Sequence, residues 1–430
     1  MFLKRDRHWG SETEMIVMHI DANSAYLSWT AVSLLEKGAE LDIRTVPAVI
    51  AGDPENRQGI ILAKSLPAKK YKIGAGTSLF EAKHQCPELL VFPPDYDLYL
   101  KCSEAMYKIL KEYSPIIQRY SIDECFLDYT NCVTTFGEPE KTAYIIKERI
   151  KNELGFTVNI GIGSNKLCAK MAGELKKPDM VHTLLTRKEI EQKLWPLEVN
   201  ELFMVGRATT KKLHRININT IGELAMADPN LLRSIFKSHG TLIWNYANGI
   251  DCDRVRPNDE ILQKGLGNSM TIKYDVTNRE DACKYLLALT DRVTGRLRRQ
   301  QCKAALVSVW VKTNSFVRYS HQLALPIYTD DTTTIYNYIC RLFDECWKGE
   351  PIRHLGVGVS EFSRKDDYQL TIFEQDNLEK AEAMNKAVDT IRMKFGQLSI
   401  YRGTFVNTDL KPMEGGVNDG DYLMMGGYKQ

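Results

Sequence analysis

The sequence predicts a multidomain α+β protein, and three observations carry that prediction. Its 430 residues exceed one ordinary domain, and 43% of them are hydrophobic against 26% charged, which suits a soluble chain with a buried core. Strand-like apolar runs alternate with helically spaced segments through the first half. A polar, proline-broken stretch, Asp251–Glu260, then separates a second unit in which strands and helices mix again.

The first element is the apolar run Ile16–Ile20, which ends on Asp21 and passes through Ala22, Asn23 and Ser24 into helix-friendly sequence. Asp21 is there either a helix cap, a role Asn23 or Ser24 could fill equally well, or a ligand. Leu27, Val32, Leu34 and Leu35 carry a helical spacing to Gly38, and a compact strand-rich segment follows to about Gly76. From Pro93 to about Thr183, helices alternate with the strand Phe156–Gly163 and with the run Tyr120–Asp128, where Asp123 and Glu124 sit side by side. Successive side chains of a flat strand point to opposite faces, so these adjacent acids serve one site only if the backbone turns or bulges. Tyr120 and Ser121 suit such a turn. Ser164 is positioned to cap a helix to Leu175, with Leu167 and Met171 turned to the sheet. Brought together at strand ends, Asp21, Asp123 and Glu124 would form a hard-oxygen site suited to Mg²⁺. Two such ions can hold the attacking and leaving oxygens of a phosphoryl transfer.

Arg187 to about Gly249 is helical and charged. Phe203–Ala208 followed by Thr209–Ile216 reads as helix, hairpin, helix, with amides around Gly206 and Arg207 able to receive a DNA phosphate. Beyond the linker, Gly265–Glu361 mixes strands (Ala305–Val311 and Gly356–Phe362) with two helices, about Asp281–Gln300 and Asp331–Trp347. Arg292, Arg296, Arg298, Arg299 and Lys303, with Lys312 and Arg318, outweigh Asp291 in this unit. So one-sided a cluster reads as a phosphate-contacting face. Ser363–Gln430 is polar at first and reads as partly flexible.

Composition narrows the function further. Lys and Arg number 57 against 55 acids, so a DNA-binding surface has to arise from local segregation of charge. Ten cysteines contain no Cys-x-x-Cys pair and eight histidines no His-x-x-x-His set, which argues against a zinc site. The cysteines read as small buried residues of a reducing cytosol, and His19, between Met18 and Ile20, as a core residue or the support of a ligand. Met1–Glu14 is charged and has no apolar core, so no signal peptide is expected, and Met15 is an alternative start. No apolar stretch approaches the roughly 20 residues that span a bilayer, and a membrane partner is not expected.

Asp-x-Asn-x-x-Tyr at Asp21–Tyr26, followed by Tyr-Ser-Ile-Asp-Glu at Tyr120–Glu124, resembles the Y-family translesion DNA polymerases, most of all their UmuC-type branch. Ala68–Gly76 resembles the family's fingers segment, Asn159–Lys170 its palm strand-turn-helix, and Lys177-Pro178 its triphosphate-binding Lys-Pro. The likeness runs from about Met15 to the Phe362 region. It implies a right-hand polymerase: palm at 15–24 and 95–184 with a mixed sheet, small fingers at 25–94, and a helix-hairpin-helix thumb at 185–250. A linker at 251–263, an α+β little finger at 264–363 and a tail at 364–430 would follow.

The resemblance also implies roles. Asp21, Asp123 and Glu124, with the Ala22 carbonyl, would bind two Mg²⁺ ions, with Mn²⁺ as a substitute. The nucleophile would be the primer 3′-hydroxyl of a primer–template DNA. Lys69 and Lys177 would neutralise dNTP phosphates, and the amides of Ser24, Ala25 and Tyr26 would cradle them. Tyr26 matches the steric gate that excludes a 2′-hydroxyl. Gln369, Leu370, Ile372 and Phe373 resemble the bacterial sliding-clamp-binding peptide, three apolar side chains entering a groove while the Gln bonds at its edge. A UmuD-like accessory subunit, a place in the SOS response to DNA damage and a cytoplasmic, nucleoid-associated location are implied in the same way.

Some positions depart from the commoner pattern. Leu66 and Lys69 stand where many members carry Tyr and Arg; Leu66 cannot donate a hydrogen bond, and Lys offers a point charge in place of a fork. Ala25 is smaller than the usual aromatic before the gate, and Ile60 and Leu62 align with the roof over the nascent base pair. A catalytically silent, polymerase-like adaptor binding DNA or clamp is the alternative, and the complete acid set argues against it. Another palm-type enzyme, such as a cyclase, would need neither the helix-hairpin-helix nor the clamp peptide.

Overall fold

In the computed structural model, which describes residues 15–57, 59–260, 263–364, 375–406 and 408, the first apolar run becomes β1 (Val17–Ala22), a fully buried strand. The helix Ala25–Glu36 follows directly. A small sheet comes next, made of β2 (Ala48–Ala51), β3 (Ile61–Lys64) and β4 (Leu90–Phe92) in the order β3-β2-β4. It closes a separate core around Val49, Ile61, Ala68 and Leu79.

The chain then returns to β1. The strands β5 (Ile117–Arg119), β6 (Glu124–Asp128), β7 (Val158–Gly163) and β8 (Val181–Leu184) complete a mixed five-stranded sheet in the order β5-β6-β1-β7-β8. The pairing is antiparallel except between β7 and β8. Alternation along these strands decides what each face does. Met18, Ile20, Cys125, Leu127, Ile160 and Ile162 pack against the helices Tyr96–Lys111 and Pro139–Leu154. The opposite face carries Asp21, Glu124 and Asn159 in one row and His19 with Phe126 and Gly161 in the next.

On that face the helix Lys166–Glu174 lies against the sheet backbone itself. A Cβ added to Gly161 would meet the Ala169 carbonyl oxygen at 2.0 Å, and one on Gly163 the Ala169 nitrogen at 2.2 Å; only glycine allows so close an approach. This geometry corrects two expectations. The helix is capped by Asn165, whose side chain accepts from the Cys168 amide at 2.8 Å, and not by Ser164. Leu167 and Met171 do not cover the sheet centre: they join Leu184, Ile190, Leu194 and Leu213 in a core shared with the following helices.

Those helices, Arg207–His214, Ile221–Met226, Pro229–Phe236 and Ser238–Ala247, form the compact helical unit expected after the sheet. The polar stretch that follows is held closely. Asp253 pairs with the buried Lys166 at 2.6 Å, Asn258 accepts from the Arg119 amide at 2.9 Å, and Val255 packs with Val17, Tyr120, Phe126 and Ala169.

The last sheet consists of β9 (Gly265–Val276), β10 (Cys302–Thr313), β11 (Arg318–Thr329) and β12 (Ile352–Arg364), all antiparallel, in the order β11-β10-β12-β9. The helices Arg279–Arg299 and Thr332–Cys346 share its core. A third helix, Gln375–Phe395, docks on the first of these through a buried Arg392–Asp291 pair at 2.7 Å and an Arg298–Asp389 pair at 2.6 Å. Phe405 inserts into the same core. Much of the segment read as a partly flexible tail is therefore part of the folded unit. The clamp-like residues Gln369, Leu370, Ile372 and Phe373 lie outside the described residues. Among the described residues, no helix is long and apolar enough to cross a membrane.

Candidate active site

The carboxylates meet where β1 and β6 end. Asp21 and Glu124 are direct cross-strand partners, which places their side chains on the same face about 5 Å apart at Cβ. Asp123 falls just before β6, in a bend over residues 121–123. The Glu124 carbonyl accepts from the amides of Tyr120 and Ser121 at 2.9 and 3.2 Å, and the Asp123 carbonyl accepts from the Ala22 amide at 3.0 Å. This is the turned backbone that adjacent acids require. Ser121 fixes the Asp123 carboxylate by donating its hydroxyl hydrogen bond.

Lysines hold the negative charge. Lys177 contacts Asp21, and also Glu174 at 2.8 Å; Lys170 contacts Glu124 at 2.6 Å. The fully buried His19 lies 3.2 Å from the same Glu124 oxygen. Burial raises the Asp21 carboxyl above its ordinary value despite the Lys177 charge. It raises Asp123 as well, against the Ser121 hydrogen bond and together with the Glu124 charge. Burial works the same way on Glu124, but the His19 hydrogen bond and the His19 and Lys170 charges outweigh it and bring that carboxyl to about 2. Burial thus disfavours the charged form of two of the three acids, a penalty a divalent cation would offset. The donors are hard oxygens, as Mg²⁺ requires, and in that respect the residues fit the ions. They surround the spot without closing on it: among the described residues, no three His, Cys, Asp or Glu side chains converge to metal-ligand geometry.

The nucleotide side is built on the next turn. Asn23 donates to Asn159 at 3.1 Å and accepts from Thr157 and from the Asp179 amide, both at 2.9 Å. It thereby ties β1 to β7 and to the turn after the cis Lys177-Pro178 bond. Ser24, with φ of +47°, starts the helix Ala25–Glu36 without a side-chain cap and without an acid in the first turn, so its leading amides are open to an anion. Tyr26 stacks on Tyr99 at 4.4 Å and meets Tyr96 edge-on at 6.1 Å. Burial, followed by the Asp123 charge, pushes the Tyr26 phenol to about 12. Lys69 is exposed at the end of the short helix Leu66–Lys69, and its charge, added to burial, lowers Lys64. Ile60, just before β3, and Leu62, within it, are both exposed. Gly206 and Arg207 are exposed at the uncapped start of the helix Arg207–His214.

His19, read from the sequence as a core residue or the support of a ligand, is both buried and bonded to Glu124. Lys170 stood within the Asn159–Lys170 motif without a role of its own, and Lys64 gave no signal.

The basic cluster needs a larger correction. Arg292 and Lys303 are each 3% exposed. Lys303 pairs with Glu382 at 2.7 Å, and Arg298 is occupied by Asp389, the Asp330 carbonyl and Thr332. Arg292, Arg298 and Lys303 thus lie inside the folded unit and do not form a DNA face; Arg296 and Arg299 are the more accessible members of the cluster. The acids that pair with Lys303 and Arg298, Glu382 and Asp389, lie 79 and 91 residues further along the chain. The sheet's other face also carries basic side chains, of which Arg318 is exposed and Lys312 and His354 are half-buried. There Arg318, Lys312 and His354 form one cross-strand row, and Trp310 lies in the next. Its indole lies flat over Gly356 and Gly358, where an added Cβ would come within 1.9 Å and 3.0 Å of the ring. Burial lowers both Lys312 and His354, helped by the neighbouring Arg318 and Arg353 charges.

The chain can be set beside known proteins. The model of the impB/mucB/samB family matches residues 20–174, and that of the family's C-terminal domain matches residues 263–372. A DNA polymerase IV of Clostridium acetobutylicum is 47% identical over 397 residues, covering 92% of this chain and 99% of that protein. DNA polymerase IV 2 of Bacillus subtilis is 34% identical over 395 residues, covering 90% and 94%. Among solved structures, a Y-family DNA polymerase chimera of Dbh and Dpo4 has a TM-score of 0.69 at 19% identity, covering 82% of this chain and all of that one. The insertion ternary complex of Dbh DNA polymerase has a TM-score of 0.58 at 18% identity over the same shares. Likeness in sequence over nearly the full length, a shared fold and a family model that takes in Asp21, Asp123 and Glu124 lead to one assignment: the chain belongs to the impB/mucB/samB family, the Y-family DNA polymerases.

Proposed function

We infer that this protein is a DNA-directed DNA polymerase of the translesion type, which adds dNTPs to a primer 3′ end during DNA damage tolerance. The observation that carries the reading is the pairing of Asp21 with Glu124 beside the turn holding Asp123. Two divalent cations, Mg²⁺ or Mn²⁺, bound among these carboxylates and the Ala22 carbonyl would neutralise the triphosphate and activate the primer hydroxyl. Around them, Lys177, Lys69 and Lys64 offer charge to the triphosphate, and the amides of Ser24, Ala25 and Tyr26 offer hydrogen bonds. All of these contacts act on groups common to every dNTP. Base choice is left to template pairing beneath Ile60 and Leu62, which suits low fidelity. His19 and Lys170 keep Glu124 ionised and aimed.

The primer–template is gripped in two places on this reading. The uncapped helix start at Gly206 and Arg207 receives one phosphate. The sheet face bearing Trp310, Lys312, Arg318 and His354 receives others, in place of the buried arginine cluster. The Gln369–Phe373 peptide engages a sliding clamp, and its position between β12 and the docked helix Gln375–Phe395 supports that reading. A UmuD-like subunit and a cytoplasmic, nucleoid-associated location complete the proposal.

Primer extension on undamaged and abasic templates, wild type beside Asp123→Ala and Glu124→Ala, tests the inference. Wild type should extend with Mg²⁺ or Mn²⁺, and each variant should lose roughly 100-fold or more, on the scale of removing a group that stabilises transition-state charge. Extension by neither wild type nor variants would favour the silent adaptor.

A further inference from the structure

The two helices that back the last sheet, Arg279–Arg299 and Thr332–Cys346, carry one cysteine each where they face one another. The Cys283 and Cys340 sulfurs are 3.6 Å apart. Cys283 is 7% exposed, while Cys340 is partly open to solvent. Arg279 and Asp344, from the same two helices, are bonded at 2.6 and 2.7 Å beside them, and both helices pack into one core.

This environment differs from that of the other buried cysteines. Burial pushes the Cys102 and Cys168 thiols to about 11 and Cys125 to about 12, which keeps them protonated and inert. Cys283 moves the other way. The Cys340 hydrogen bond, against burial and with help from the Arg279 charge, brings it to about 7, while Cys340 is pushed up. The pair thus gives up its first proton readily and holds the second.

We propose that Cys283 and Cys340 are a redox-active pair that closes into a reversible disulfide by exchange with a low-molecular-weight disulfide. The Cys283 thiolate attacks one sulfur of that disulfide, whose S–S bond breaks and whose other half leaves as a thiolate that takes up a proton. Cys340 then loses its proton and attacks the Cys283 sulfur, and the second half of the oxidant leaves in the same way. Two protein thiols are oxidised by two electrons, and one small disulfide is reduced to two thiols. The sulfurs have to close from 3.6 Å to about 2.05 Å. The bond would join the two helices behind the sheet and leave the carboxylate site untouched.

The test exposes the full-length protein to oxidised glutathione, quenches it in acid, alkylates it with N-ethylmaleimide and maps the peptides by mass spectrometry. The expected result is a cross-link between the Cys283 and Cys340 peptides, with two of the ten thiols lost to alkylation by it and restored by dithiothreitol. Cys340→Ser should abolish the cross-link and leave a glutathione adduct on Cys283, with primer extension unchanged. The exposed Cys252 serves as internal control. If Cys252 is fully modified while Cys283 and Cys340 both still alkylate, or if either cross-links to a different cysteine, the proposal is overturned. These readouts do not depend on polymerase activity.

Discussion

Tyr26 acts through where its ring is held. Its ring is stacked on Tyr99 and edged by Tyr96, which restrains it from swinging aside, and on the proposed reading that is where a 2′-hydroxyl would meet it. Tyr26→Ala should therefore lower discrimination between dNTPs and rNTPs by roughly 10–200-fold, the range a shape contact supplies, with dNTP extension largely kept. Competing single-nucleotide insertions measure this, and an unchanged ratio would remove the gate assignment. Residue identities at this centre were legible in the sequence because the chemistry needs fixed residue types at fixed spacing: Asp21, Asp123, Glu124 and Tyr26 stand out as letters. What the letters could not display is the ion pairing, since Lys170 and Lys177 reach their carboxylates across 46 and 156 residues.

Among the elements, the helix Arg279–Arg299 shows where reading by composition fails. A count of local charges makes it a phosphate-contacting face, yet Asp389 and Glu382 on the docked helix neutralise Arg298 and Lys303, and Arg392 is buried against Asp291. The strands and helices themselves were readable from periodicity, which is local; their partners were not. Arg392→Met leaves Asp291 buried without its partner. That change should cost about 3–5 kcal/mol of stability, the range for breaking a buried pair, seen in urea unfolding of the full-length protein. The double variant Arg392→Met/Asp291→Leu should recover most of the loss. A cost below 1 kcal/mol would mean that the helix Gln375–Phe395 is not docked as described.

Across the whole molecule, the small sheet's loop and the last sheet touch through Arg57 and Asp275, to which Asn314 also donates at 3.2 Å. Both side chains are about a third exposed, so the pair is worth only about 0.2–1 kcal/mol. Its effect should appear in arrangement more than in stability. Arg57→Glu should lengthen the distance between dyes on the fingers and the little finger, and the charge swap Arg57→Asp/Asp275→Arg should restore it. No distance change in either variant would show that the contact does not set the arrangement. Contacts of this kind between distant segments are invisible in a linear reading, because each partner looks like an ordinary surface charge.

The central claim is that Asp21, Asp123 and Glu124 form one cation site. Mn²⁺ binding followed by electron paramagnetic resonance, with primer–template and a non-reacting dNTP analogue present, tests it most directly. Wild type should hold tightly bound Mn²⁺ that Asp21→Ala, Asp123→Ala and Glu124→Ala each weaken by at least roughly tenfold, about 1.4 kcal/mol. Equal Mn²⁺ binding by wild type and all three variants would contradict the account.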